Sequence, residues 1–154
     1  MIQRIQTVYL LVTVILMCVI CFLPLADFID VIENTTGKLY GWGISTPEGC
    51  FIYPDMTILL GLTILLPLIT VFLYRKRWLQ IRMCIVEMVL LAGMQIYIIM
   101  HIVRYFNTDK YIAFESFFFS VTDIIPIAGI ILMFLALRGI MKDEMLIKSL
   151  NRIR

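Results

Sequence analysis

The sequence predicts an all-α membrane protein, a bundle of four transmembrane helices with or without a small strand-containing region in its extracytoplasmic loops. Three observations predict it. Four runs of roughly twenty apolar residues take up more than half of the 154-residue chain, and each is long enough to cross a hydrocarbon core of about 30 Å at about 1.5 Å of rise per residue. Hydrophobic residues make up 62% of the chain and charged ones 16%, with a mean hydropathy of +0.98, whereas about a quarter of a soluble domain is charged. The Lys and Arg residues gather in every second gap between the runs, as the basic inner segments of a multi-pass chain do.

The first span is expected over 5–25, between Arg4 and Asp27. Its apolar length exceeds that of a signal peptide, and a cut after Ala26 would put Pro24 where a small residue is wanted, so an uncleaved span is expected. The second span, 56–74, stops abruptly at Arg75, Lys76 and Arg77, and Arg82 follows closely, so residues 75–82 read as a cytoplasmic turn. The third, 83–103, is interrupted by Glu87, Gln95 and His101, and the fourth, 117–137, carries Asp123 and Pro126 before a polar tail over 138–154.

With the N-terminus inside, the inner segments hold ten of the thirteen basic residues. The outer loops, 26–55 and 104–116, hold Lys38, Arg104 and Lys110 against Asp27, Asp30, Glu33, Glu48, Asp55, Asp109 and Glu115. Both termini are therefore expected in the cytoplasm. The first outer loop is too long for a bare turn. Asn34-Thr35-Thr36-Gly37 reads as a turn, Lys38 to Ile44 as one strand with Tyr40 and Trp42 on the same side, and Cys50 to Tyr53 as another. Tyr111 to Val121 either adds a strand to that sheet or forms the interfacial end of the fourth helix, as Phe117, Phe118 and Phe119 allow.

Four polar residues inside the spans form a candidate site. Asp123 stands three residues before Pro126, whose ring frees the carbonyl of Thr122. A carboxylate beside a free carbonyl suits a proton or a cation, and the plainer reading is a helix cap with Pro126 in the first turn. Thr63 and Pro67 repeat that spacing in the second span and read as an ordinary kink. Glu87 is expected to lie near the inner interface and to pair with Arg82 or with Arg75 to Arg77. On a helical wheel Glu87, Gln95 and His101 share an arc of about 120°, a polar stripe for the interior of the bundle. Buried ionisable groups in hydrocarbon are functional hypotheses by default, with structural pairing as the alternative.

His101 is the sole histidine, so no metal site is expected. Nor is a cofactor, nucleic-acid binding or enzyme chemistry: the chain has no His-Glu-x-x-His, Gly-x-Ser-x-Gly or phosphate-cradling glycine loop, and quinone-linked disulfide chemistry is not expected. Gly93, Gly129 and Gly139 make no Gly-x-x-x-Gly pair, which leaves the oligomeric state open. In the tail, charged residues alternate with Ile140, Leu146, Ile147, Leu150 and Ile153, and Glu144 and Lys148 stand at a favourable i,i+4 spacing. Arg75, Lys76, Arg77 and Arg82 of the turn, with Arg138, Lys142, Lys148, Arg152 and Arg154 of the tail, form a candidate surface for a membrane-protein partner or for anionic lipid headgroups.

Three segments also carry a family likeness: the opening Met1-Ile2-Gln3-Arg4-Ile5-Gln6-Thr7-Val8-Tyr9-Leu10, the central Leu79-Gln80-Ile81-Arg82, and the closing Leu135-Ala136-Leu137-Arg138 with Lys142-Asp143-Glu144 and Asn151-Arg152-Ile153-Arg154. Together they resemble the DUF4293-type family of small four-span membrane proteins of unknown function from Bacteroidota. The resemblance implies a single integral membrane domain over 1–154 in a bacterial cytoplasmic membrane. It brings no activity and no functional residues to carry over. The expected function is a non-enzymatic scaffold or accessory subunit of a membrane assembly, and the alternative is a small proton- or cation-coupled transporter using Asp123.

Overall fold

The computed structural model describes residues 3–30, 35–47, 49–73, 76–106, 118–119 and 121–151. Four long helices, α1 (Gln3–Phe22), α2 (Pro54–Phe72), α3 (Arg77–Phe106) and α4 (Ile125–Asn151), hold the four apolar runs. They pack in a ring in chain order, α1 against α2, α2 against α3, α3 against α4 and α4 against α1. Short connections at one end and the sheet at the other make each neighbour antiparallel, as in an up-and-down bundle.

The buried residues explain the ring. On α3 they are Gln80, Cys84, Glu87, Leu91, Met94, Ile98 and His101, and on α1 Gln6, Leu10, Thr13, Met17 and Ile20. Buried Met56, Leu60, Thr63, Pro67 and Thr70 do the same on α2. The steps alternate between three and four residues, a 3.5-residue repeat that keeps one narrow seam per helix turned toward its neighbours. The residues off the seam are apolar and exposed, among them Ile15, Ile58, Val89 and Ile131. Polar side chains thus sit inside and aliphatic ones outside, the reverse of a soluble bundle and the arrangement that lipid requires.

Outside the helices lies a five-stranded antiparallel sheet in the order β4-β3-β2-β1-β5. Its strands are β1 (Ala26–Asp30), β2 (Thr35–Tyr40), β3 (Gly43–Thr46), β4 (Gly49–Ile52) and β5 (Phe118–Phe119). The sheet differs from the sequence reading in three places. Thr35 and Thr36 do not turn but pair with Asp30 and Ile29, and Asn34 lies outside the described residues. The stretch from Lys38 to Ile44 is two strands, because Gly41 and Trp42 form a tight turn that sets Tyr40 opposite Gly43. Finally, Phe118 and Phe119 take the strand option and pair with Asp27 and Ala26.

That tight turn is wedged onto the helix tops. A Cβ on Gly41 would stand 2.7 Å from Ile20 Cγ2 and 2.9 Å from Leu60 Cδ2, so a side chain has no room there. The Trp42 indole N–H donates to the Cys21 carbonyl at the end of α1 (3.1 Å). The Trp42 carbonyl accepts the Tyr53 N–H (3.1 Å) and the Thr57 hydroxyl (3.1 Å) at the start of α2. Across the sheet, Ala26, Leu39 and Ile44 form one buried row, seating the sheet on the bundle through its apolar face.

Candidate functional site inside the bundle

Glu87 is the most deeply enclosed carboxylate among the described residues. Its seam position on α3, between Cys84 and Leu91, leaves it with no exposed surface. Both carboxylate oxygens are buried and make no hydrogen bond. The expected pairing with basic residues is not made. Arg82 stands five residues away, about 140° round the helix, and is exposed with its guanidinium carbon 5.5 Å from the Trp78 ring centroid. Arg77 is ten residues, or about 15 Å, down the helix, and its Nη1 is itself buried without a partner. Arg75 lies outside the described residues.

The depth of Glu87 follows from neighbouring contacts. Gln80 Nε2 donates to the Thr70 carbonyl across α2 and α3 (3.4 Å), and seven residues along both antiparallel helices, about 10 Å, bring Glu87 level with Thr63. A Cβ on Gly129 of α4 would meet Leu91 at 3.3 Å and Thr13 of α1 at 3.7 Å, so Thr13 lies about one turn beyond Glu87. Thr13 and Thr63 donate their hydroxyls to their own helices, to the Tyr9 carbonyl (3.0 Å) and the Leu60 carbonyl (2.8 Å). Glu87 is therefore near the middle of the bundle and not at its inner interface, a correction to the sequence reading.

Asp123 is placed differently. Residues Val121–Ile124 form one 3-10 turn and α4 starts at Ile125, so Pro126 falls in the first turn, where its missing N–H costs nothing. Asp123 is buried, yet neither carboxylate oxygen makes a hydrogen bond, so its side chain caps nothing. Six residues from Gly129, it is level with about Tyr97 and thus close in depth to half-buried Gln95, whose Oε1 is also buried without a partner. His101 is buried between two rings, with centroids 4.9 Å from Tyr53 and 4.7 Å from Tyr97.

The candidate polar residues thus divide into an outer set, Asp123, Gln95 and His101, and Glu87 alone, about 12 Å from Gln95 along α3. Among the described residues no three His, Cys, Asp or Glu come together in a group that could hold a metal ion. Cys18-Val19-Ile20-Cys21 is a Cys-x-x-Cys that the reading against disulfide chemistry overlooked. Both thiols are free and half-buried on α1.

At the opposite end from the sheet, Gln6 Nε2 donates to Asp143 Oδ2 (2.7 Å), and a Cβ on Gly139 would meet Gln6 Cγ at 3.0 Å. This contact fixes the extension of α4 against the start of α1. Lys76, Arg82, Arg138 and Lys142 are exposed around it and Arg77 is half-buried, while the side chains of Arg75, Lys148, Arg152 and Arg154 lie outside the described ones. Sequence reasoning missed Gln6, Gln80, Tyr53 and Tyr97. The 3.5-residue spacing marks the two glutamines, but nothing local marks their partners.

The sequence model of a family described as a domain of unknown function, DUF4293, matches residues 2–153. The chain belongs to the DUF4293 family. No curated protein matches it. The DUF4293 match runs from before α1 to beyond α4 and so takes in the four helices and the sheet. With four helices of spanning length and an apolar exterior, this DUF4293 chain is a multi-pass membrane protein.

Proposed function

We propose that this chain is a non-enzymatic scaffold or accessory subunit of a membrane assembly, seated in a bacterial cytoplasmic membrane with both termini in the cytoplasm. The observation that carries this reading is the Gln6–Asp143 hydrogen bond. It ties the inner extension of α4 to α1 and supports a fixed platform rimmed by Lys76, Arg82, Arg138 and Lys142. Basic residues at such a rim accord with an inner location and complement an acidic face on a neighbouring membrane protein. Rim charges set the rate and specificity of association more than its strength. Replacing Lys76, Arg82, Arg138 and Lys142 with Gln is expected to leave the helical content intact and release the partner in crosslinking and affinity purification from native membranes. Unchanged recovery of the same partner would refute the docking role, and loss of vesicle binding alone would assign the rim to anionic lipid.

A second reading, a small proton- or cation-coupled transporter, is favoured by the two unbonded, buried oxygens of Asp123. On that reading Asp123→Asn abolishes proton or cation flux into vesicles holding the purified protein. Flux equal to that of the unaltered chain would remove Asp123 from any transport role.

A further inference from the structure

The unbonded buried side-chain atoms inside the four helices are unevenly distributed in kind. Glu87 contributes both carboxylate oxygens and Gln95 its amide oxygen, all acceptors, and among the described residues the only such donor is Arg77 Nη1 at the start of α3. An acceptor sealed from water costs several kcal/mol until a donor reaches it. At Glu87 the protein supplies none, since Thr13 and Thr63 spend their hydroxyl protons on backbone carbonyls. A carboxyl group acquires a donor of its own only by taking up a proton.

A metal cation is a poor occupant. Hard cations draw on about six oxygens, and Glu87 belongs to no cluster able to hold a metal ion among the described residues. The groups that titrate near it are few. Cys84 lies on the same seam of α3, Tyr9 and Cys18 are half-buried on α1, and the buried seams of α2 and of α4 from Pro126 to Ile140 bring no ionisable side chain. No buried cation on a neighbouring helix stands against it.

The two directions away from Glu87 also differ. Toward the sheet, beyond Thr13, the seams are aliphatic or sulfur-bearing for about two turns: Met94 and Ile98 on α3, Met17 and Ile20 on α1, Leu60 and Met56 on α2, all essentially without exposed surface. Toward the termini the seams also hold buried Leu10, Cys84, Met133, Ala136 and Ile140, but Gln80, Thr70, Gln6 and Asp143 stand among them, with Arg77 at the rim. Water and protons follow polar groups into a protein and are excluded by close-packed aliphatic ones.

We propose that Glu87 is a proton-binding site near the middle of the bundle, loaded and unloaded from the end that carries both termini. The site stands independently of the docking role of the rim. One proton adds to one carboxylate oxygen and leaves by the same side, with no other bond made or broken.

The test is difference infrared spectroscopy of the full chain in lipid vesicles. A carboxylic-acid carbonyl band should be present, should move when glutamate alone carries a 13C label, and should convert to a carboxylate band within the range of about pH 5 to about pH 10 over which perturbed carboxyls titrate. Glu87→Gln should remove it and Asp123→Asn should not. The isotope label separates glutamate from aspartate but is shared by the five glutamates of the chain, so Glu87→Asp is the second variant: it should keep an acid band that no longer responds to the glutamate label, and a band that still responds would overturn the assignment. In deuterated buffer the band should shift severalfold more slowly in Gln80→Leu than in the unaltered chain, and at the unaltered rate in Met94→Leu. The proposal is overturned if no labelled acid band exists, if the band is unchanged across the whole range, or if added sodium or potassium at fixed pH displaces it. Slowing by Met94→Leu and not by Gln80→Leu would overturn the inner route.

Discussion

Glu87→Met is expected to make the bundle more stable. Methionine matches the unbranched length of glutamate and replaces two buried, unbonded oxygens with a thioether that packs among Cys84, Leu91 and Met133. Relieving an unsatisfied buried polar group is worth about 1–3 kcal/mol. The gain should appear as a higher denaturant midpoint in detergent micelles with no change in helical content. Glu87→Lys is the opposing control: it places a cation where no described anion stands and should lose at least as much. A clear loss of stability in Glu87→Met would show that the carboxyl makes a bond the bundle depends on. A group that weakens its own fold and is easily replaced by an apolar one fits a site better than it fits structural glue.

Gly43→Val is expected to open the outer sheet while sparing the helices. Gly43 is paired with Ile52, and a Cβ there would overlap the Phe51 carbonyl oxygen and stand 2.9 Å from Ile52 Cα. Both are backbone atoms of β4, so no side chain can move aside and the two strands must separate. The penalty belongs to the several-kcal/mol class of overpacking and lost ladder bonds. Proteolysis should cut within 49–53 much faster than in the unaltered chain, whereas circular dichroism should retain the helical signal. Equal protection of β4 in both proteins would mean that the sheet tolerates a side chain at Gly43.

The contrast between helices and sheet also separates what could be read in the sequence from what could not. Four spans were legible because lipid imposes one composition over the whole length of each helix, and no tertiary detail is needed to see it. The Gly41–Trp42 turn was not, because Tyr40 and Trp42 keep a strand's alternation while their rings, stacked 5.3 Å apart, and the contacts to Ile20 and Leu60 bend the chain. Asp123 was read either as a group inside the fourth span or as a cap at a helix start, because the apolar run does not show that the α-helix begins only at Ile125, after a 3-10 turn. Glu87 was drawn toward Arg82 by nearness in sequence, although five residues put the two on different faces. The seam that buries Glu87 repeats every 3.5 residues and is visible in the sequence once that period is used. The partners of Gln6 and Gln80 are not, since Asp143 lies 137 positions from Gln6.

The two ends of this molecule are held together by different means. At one end, strands from the connection between α1 and α2 and from the segment just before α4 share backbone hydrogen bonds, β5 joining β1, so the tops of the two helical hairpins are stitched into a single piece. At the other, side chains make the links between helices, among them an amide-to-carboxylate bond and a long glutamine contact. The two ends thus answer to different changes: replacing a side chain can loosen the second, whereas the first opens only when its strands are forced apart.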